Sequence, residues 1–426
     1  MLRVGIAGIG SIAQVYLGLF AAGKIPGGRV TALSSRSPDH LTSARDAFCT
    51  PDTALFTDYE AMLHSGLVDV VMICTPHNRH VPMALQALKA GVHPLIEKPL
   101  AVDADEARAL LDACRAHPEL TAGVLYCRRA STAYQQAKQL VERGALGQLK
   151  RACWLITNLY RTPAYHASQP WRGSWKGEGG GLLLTQASHQ LDLLTWLCGT
   201  PNQVTALCEF GAERAIQVEN DVTLHLRWAD GATGQFIASS REFPGSNRLE
   251  LSGSKGQLIL ENDRHFTLRR LSRDERDFAQ STTGYFGPIP FTEEQWTAPE
   301  EPNEVQQAGI VADFLAAIAQ RRAPLCPAAD ALESLLVTNA AYLSAWQDGT
   351  VPVPPPPGCL RRRAGKADGS GITKAQSAPG PAVLARPGGT VLYLQFCSAG
   401  GWAFSSRRFT PPQFSRNTWK PISAKG

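Results

Sequence analysis

His189 and Asp192 stand three residues apart, and Thr185 precedes the histidine by four; on a helix these positions share one face. An imidazole exchanges protons near neutral pH, and a carboxylate beside it can steer or relay them, so this face could carry general acid–base chemistry. The run Gly179-Gly180-Gly181 just upstream gives the segment a flexible approach. Leu184, Ala187, Leu191, Leu194 and Cys198 recur at helical spacing and form its buried stripe. An ordinary solvated helix face has the same polar spacing, so the pattern alone leaves both readings open. Further upstream, Arg161, Trp171 and Arg172 sit among Tyr160, Tyr165, Trp175, Lys176 and Glu178. Rings of this kind stack on the apolar faces of a pyranose while the charged groups reach its hydroxyls. A surface loop pinned by two packed tryptophans is the alternative.

Such groups need a scaffold, and the first twenty residues describe one. Leu2 to Ala7 is an apolar run long enough for a buried strand. It turns at Gly8-Ile9-Gly10-Ser11-Ile12-Ala13 and continues as a helix-compatible segment. Strand, glycine turn and helix are the opening of a dinucleotide-binding fold. Gly8 permits the tight turn, Gly10 lets the backbone approach a pyrophosphate, and the amides of Ser11 and Ile12 open the helix where its dipole favours phosphate. A tight turn without a ligand reads the same from the triplet alone; its place directly after a strand favours the ligand. The next strand, Val30 to Ser34, ends in Ser34-Ser35-Arg36-Ser37, with no carboxylate before Asp39. A NAD site usually has an acid there for the ribose hydroxyls, whereas Ser35 and Arg36 suit a ribose 2′-phosphate. NADP is therefore favoured over NAD, with a solvated loop arginine as the other possibility.

Val68–Cys74, Val92–Ile96 and Thr121–Leu125 read as further strands. Between them lie a helix from Val81 to Ala90, stopped by Gly91, and one capped by Asp103. This alternation implies a doubly wound parallel sheet, which places ligands beyond the carboxyl ends of its strands. Thr75, His77 and Lys98 stand at such ends. His77 and His80 form a lone HxxH without further ligand types nearby, so no metal site is expected.

The GIGSIA turn, the TPHNRH stretch and the EKP triplet occur here in a characteristic order and spacing. With Tyr126-Cys127-Arg128-Arg129 and the signature Gly179 to Asp192, GGGLLLTQASHQLD, they resemble the Gfo/Idh/MocA oxidoreductase family over about residues 2 to 355. The resemblance implies an NAD(P)-dependent dehydrogenase acting on a sugar, polyol or related cyclic alcohol. It implies that Lys98 contacts the reacting hydroxyl, that His189 is the acid–base group, and that Glu97 orients the lysine and the nicotinamide region. Pro99 would set the Lys98 backbone through a cis bond. Thr75, Pro76, His77 and His80 would border the cofactor, and Tyr126 and Thr185 the substrate. Many members carry Asp where this chain has Thr185, which makes Asp192 the nearest replacement in a proton relay. A cofactor-binding sensor without turnover, or an enzyme that recycles bound NAD during elimination or glycoside cleavage, are the competing classes.

From Val204 to Leu260 short alternating segments separated by turns indicate an open, mainly antiparallel sheet in a second, α+β domain. By resemblance, its exposed face would join copies into a homo-oligomer, a dimer or tetramer. Amphipathic helices follow at Asn303–Arg321 and Leu332–Trp346, the second packing back beside the cofactor domain. The expected division is 1–125 for the cofactor, 126–355 for substrate and association, and 356–426 as a disordered Pro/Gly/Arg-rich tail in which Val391–Cys397 is strand-like but isolated. The net charge of +5 conceals an asymmetry. From Cys359 onward eleven Lys or Arg face Asp368 alone, so the preceding residues hold 31 bases against 36 acids and carry −5. A mildly acidic body argues against nucleic acid as a partner. No apolar run is long enough for a membrane span, the first residues read as strand rather than signal peptide, and the ten scattered cysteines lack a CxxC, which together suggest a cytoplasmic protein.

Overall fold

The computed structural model describes residues 1–358 and, beyond them, 384–385, 391–397 and 401–406. The first half is a six-stranded sheet of β1 (Leu2–Ala7), β2 (Gly28–Ser34), β3 (Ala54–Phe56), β4 (Val70–Ile73), β5 (His93–Ile96) and β6 (Gly123–Val124). Every pairing is parallel and the order is β3-β2-β1-β4-β5-β6, the Rossmann arrangement. A parallel sheet is covered on both faces, and its central strand β4 is accordingly apolar and buried throughout. Between β1 and β4 the strand order reverses, and a cleft opens there. Helices fall where the sequence suggests. His80–Lys89 ends before Gly91, whose φ of +74° suits a glycine, and Asp103 Oδ1 accepts from the Asp105 amide at 2.8 Å to start Ala104–Ala116. Helix Pro38–Phe48 and the three-residue β3 were not anticipated; both are short, and half-exposed residues blur their periodicity.

The second half is a nine-stranded sheet. Its strands are β7 (Leu149–Ile156), β8 (Gln203–Phe210), β9 (Glu219–Arg227), β10 (Thr233–Ser239), β11 (Asn247–Gly253), β12 (Gly256–Glu261), β13 (His265–Leu271), β14 (Phe291–Thr297) and β15 (Val351–Pro352). Their order is β14-β13-β12-β11-β7-β10-β9-β8-β15. Its pairings are antiparallel except β7 with β10, because β7, a strand the sequence reading passed over, enters the middle of the sheet from far upstream. One face of the sheet packs on helix Ala328–Gln347, which in turn packs on helix Ser188–Cys198; Ser344 Oγ accepts from the Ala206 amide at 2.8 Å. On strands β7 and β8 the opposite face presents the exposed Leu155 and Leu207.

Helix Ala328–Gln347 ties the halves together. Asn339 Oδ1 accepts from the Ala104 amide at 2.9 Å, and Ala328 N donates to Ala122 O at 3.0 Å. This helix thus packs back beside the cofactor domain, as the amphipathic pattern suggested. Most of 359–426 lies outside the described residues, and with it most of the expected disordered tail. Within it, β17 (Val391–Cys397) is not isolated: it pairs antiparallel with β16 (Leu384–Ala385) and β18 (Gly401–Ser406). Among the described residues, no helix is long and apolar enough to cross a membrane.

Candidate active site

The cleft at the strand-order reversal encloses about 960 Å³ and is lined at one end by Gly8, Gly10, Ser35 and Arg36, and toward the other by Thr75, Pro76 and Trp171. Gly8 has φ +90°, and a Cβ there would stand 2.8 Å from Cys74 O, so only glycine permits the turn. A Cβ on Gly10 would instead meet nothing within 4 Å, because that position faces the open cleft. Helix Ser11–Ala21 starts at Gly10 without a side-chain cap, so the amides of Ser11 and Ile12 have no side-chain acceptor. An open glycine cradle at an uncapped helix N-terminus fits a dinucleotide pyrophosphate. At the far end of this wall, Ser37 caps helix Pro38–Phe48 and Ser35 Oγ accepts from the Ser37 amide at 3.3 Å. Arg36 lies between them on the cleft wall, and the carboxylates that line the same cleft, Asp58 and Glu60, come from another loop.

Lys98 follows β5 across a cis peptide to Pro99. Its Nζ donates to Thr185 O at 3.0 Å. Burial lowers its pKa and the neighbouring Glu97 opposes that shift. Glu97 does not face the cleft. It is buried, with Oε1 accepting from Tyr16 OH at 2.9 Å and Oε2 from the Lys98 amide at 3.0 Å, which makes it the brace of the lysine turn. His80 is likewise enclosed: Nδ1 lies 2.8 Å from Pro99 O and Nε2 2.8 Å from Thr75 O. It ties the β4 and β5 turns together and has no nitrogen left for a cofactor or a metal. His77 turns the other way, with Nδ1 3.2 Å from Glu178 O and its ring edge-on to Trp171 at 5.8 Å. Burial, aided by His80 and Lys98, holds its pKa down to about 3, so the imidazole is neutral.

The signature segment differs from the single helix expected. Residues 181–187 form turns and the helix begins at Ser188, so Thr185 is not on the face of His189. The cause is Glu219, at the start of β9. Its Oε2 accepts from the Gly181 amide at 2.9 Å, its Oε1 from the Leu183 amide at 2.8 Å and from Tyr342 OH at 2.9 Å, and its carbonyl from the Leu182 amide at 2.9 Å. A Cβ on Gly181 would fall 2.1 Å from Glu219 O. Glu219 is buried, and burial pushes its pKa up to about 7 against the stabilising donors. The sequence reading missed it, since a lone Glu opening an alternating strand carries no local signal. Thr185 itself turns inward, its hydroxyl donating to Gly181 O at 2.7 Å, so its carbonyl and not its side chain meets Lys98.

His189 is half-buried beside Lys98 and Arg128, and burial together with these cations pushes its pKa well below the ordinary 6.5. Its Nδ1 has no protein partner, and Tyr126 packs edge-on against the ring at 5.6 Å. Tyr126 is almost wholly enclosed and backs the imidazole without opening on the cleft. Asp192 is also turned away from a relay. Both its oxygens accept from Arg129, Nε at 2.8 Å and Nη2 at 2.7 Å, and Arg129 also reaches Asp330 at 2.8 Å. A carboxylate so paired, with no access to solvent, is a fastener for the helix it stands on. Arg161, Trp171 and Arg172 do come together near Lys98. Arg172 lies over the rings of Trp171 at 4.5 Å and Tyr165 at 4.3 Å, and Arg161 lies over Tyr165 at 5.1 Å.

Residues 2–124 match the oxidoreductase family with an NAD-binding Rossmann fold, and residues 134–259 match the GFO/IDH/MocA C-terminal domain. Among curated proteins, the chain is 26% identical over 328 residues to a levoglucosan dehydrogenase of Pseudarthrobacter phenanthrenivorans, covering 70% of this chain and 83% of that one. It is 26% identical over 344 residues to an inositol 2-dehydrogenase of Rhizobium meliloti, covering 78% and 96%. A solved levoglucosan dehydrogenase in complex with NADH shares the fold with a TM-score of 0.70 at 22% identity, covering 83% of this chain and 99% of that one. With the Rossmann order, the uncapped glycine cradle and Lys98 anchored on the turn before His189, the chain belongs to the Gfo/Idh/MocA family of NAD(P)-dependent oxidoreductases, dehydrogenases acting on CH–OH groups.

Proposed function

We propose that this dehydrogenase oxidises a secondary alcohol of a sugar, polyol or related cyclic alcohol, with NADP preferred over NAD. The observation that carries the reading is the bond from Lys98 to Thr185 O, four residues before His189, which brings the lysine of the first domain beside the histidine of the second. The bound nicotinamide supplies a hydride acceptor. Lys98, anchored on Thr185 O, presents its ammonium to the substrate oxygen as negative charge grows there. Neutral His189 takes the hydroxyl proton. Trp171 closes one side of the cleft and offers a ring face to the substrate. Asp192 and Tyr126 position His189 without taking part in the transfer, and Thr185 contributes its carbonyl in place of a carboxylate. The NADP preference rests on Ser35 and Arg36 on the adenosine wall. The exposed leucines of the second sheet support a homo-oligomer formed across that face.

Titration with NADPH and NADH, followed by nicotinamide fluorescence, tests the cofactor reading; a panel of sugars and polyols with added NADP then tests turnover. The expected result is tighter NADPH binding that falls about tenfold or more in Arg36→Ala, with NADH binding little changed. Equal affinity for the two cofactors in the natural protein overturns the NADP preference and leaves the dehydrogenase intact.

A further inference from the structure

The loop between β7 and the glycine run carries more positive charge than a neutral sugar requires. Arg161, Arg172 and Arg214 gather around His166, the first two over the ring of Tyr165 and the third over that of Tyr160. Arg172 donates to Tyr165 OH at 2.6 Å, and Arg214 Nε donates to Arg161 O at 3.2 Å. Gln186, the neighbour of Thr185, donates to the same Tyr165 oxygen at 3.2 Å, so the cluster is fastened to the segment that anchors Lys98. Opposing charge is scarce. Glu178 is 3.7 Å from Arg172 and already accepts from the Gly173 amide at 2.6 Å. Among the described residues, no carboxylate forms an ion pair with Arg161 or Arg214; their guanidinium groups bond to backbone carbonyls, of Leu159 and Tyr160 for one and of Arg161 and Glu213 for the other.

The cluster also holds unused hydrogen-bonding capacity. Both nitrogens of His166 and the Nε of Arg172 are shielded from solvent and have no partner in the protein. Burial and the three arginines push the pKa of His166 below its ordinary value, so its imidazole is neutral and offers one donor and one acceptor. Half-buried guanidinium groups held together with only Glu178, beside Arg172, as counter-charge repel one another, and unpaired buried polar atoms are costly; an anionic ligand relieves both conditions at once. Guanidinium is also the group whose planar fork matches a carboxylate.

From this cluster we infer that the substrate is an acidic sugar derivative, a uronate- or aldonate-type polyhydroxy acid, whose carboxylate is received by Arg161, Arg172 and Arg214 while His166 takes a hydroxyl. Lys98 and His189 then face a carbinol elsewhere on the same molecule. The inference rests on the reading of this cleft as a dehydrogenase site, and it adds the charge of the substrate to it.

The test uses the full chain with NADP(H) and two matched pairs, a hexuronate against its parent hexose and an aldonate against its alditol. Binding to the NADPH-loaded protein is read from the nicotinamide fluorescence, and turnover with NADP from absorbance. The acid of at least one pair should bind about tenfold or more tightly than its neutral partner, with the same order in kcat/KM. Arg214→Gln should erase most of that preference, and Arg214→Lys should keep much of it. Equal binding of acid and neutral partners overturns the inference, whether or not the neutral alcohols are oxidised. So does an Arg214→Gln variant that loses NADPH affinity by the same factor, because the cluster then serves the cofactor phosphates. Arginine-dependent binding of an acid with no turnover of any compound supports the anion site and counts against the dehydrogenase reading. Oxidation of neutral alcohols without an acid preference does the reverse.

Discussion

At the scale of single residues, the site separates groups that face the reaction from groups that hold them. His189 and Lys98 are half-buried, whereas Glu97, His80 and Asp192 have their polar atoms committed to protein partners. For His189 burial and the neighbouring Lys98 and Arg128 depress the pKa, which keeps the imidazole in the neutral form that a general base requires. His189→Ala should lower turnover by about 10²- to 10⁴-fold, while the dissociation constant for NADPH moves by less than about threefold. Stopped assays beside a fluorescence titration measure both, and unchanged turnover removes His189 from the mechanism. The lysine and histidine were legible in the sequence because their motifs sit at the ends of strong elements. The resemblance also gave Glu97 the part of orienting the lysine; the parts of His80 and Asp192 were not legible, because a polar residue's part depends on which atoms fold against it.

At the scale of elements, the turn over residues 181–187 decides where Lys98 and His189 meet. Glu219 holds that turn through two amides and is itself steadied by Tyr342 on the helix Ala328–Gln347. It is a positioning residue, since it touches the turn and never the reacting atoms. Its carboxylate is raised from 4.5 to about 7 by burial, so it is an ionised acceptor only above that pH and gains a proton below it. Turnover should therefore fall as pH drops through about 7, with much less loss of cofactor binding. Glu219→Gln presents one amide donor where an acceptor is needed, so turnover should drop about tenfold with that acid limb abolished. A variant that keeps the natural pH profile sinks this role. Helical periodicity from Leu184 to Cys198 was real, yet the segment starts its helix only at Ser188, because the competing acceptor lies on a strand some thirty residues away.

At the scale of the larger unit, two sheets share one long helix, and among the described residues the second sheet presents exposed leucines on one face. Leu207 is 68% exposed on β8 and Leu155 37% exposed on β7. A homo-oligomer through that face should appear in size-exclusion chromatography with light scattering, and Leu207→Glu should shift it toward the monomer, since an unpaired carboxylate is costly in a buried contact. A natural protein that elutes as a monomer at micromolar concentration removes this surface as an association face.

The sequence by itself determined the element types and the class of chemistry: a glycine turn after an apolar strand, strands alternating with helices, and Lys98 and His189 in recognisable surroundings. Those signals are local, resting on backbone freedom, apolar periodicity and side-chain chemistry within a few residues. Only the tertiary structure decided that β7 runs through the second sheet parallel to β10, that Glu219 shapes the turn before His189, that Asp192 is spent on Arg129, and that Arg214 joins Arg161 and Arg172. Each of these depends on partners far apart in the chain, and no local pattern of burial or hydrogen bonding specifies which distant group will satisfy a buried charge or amide.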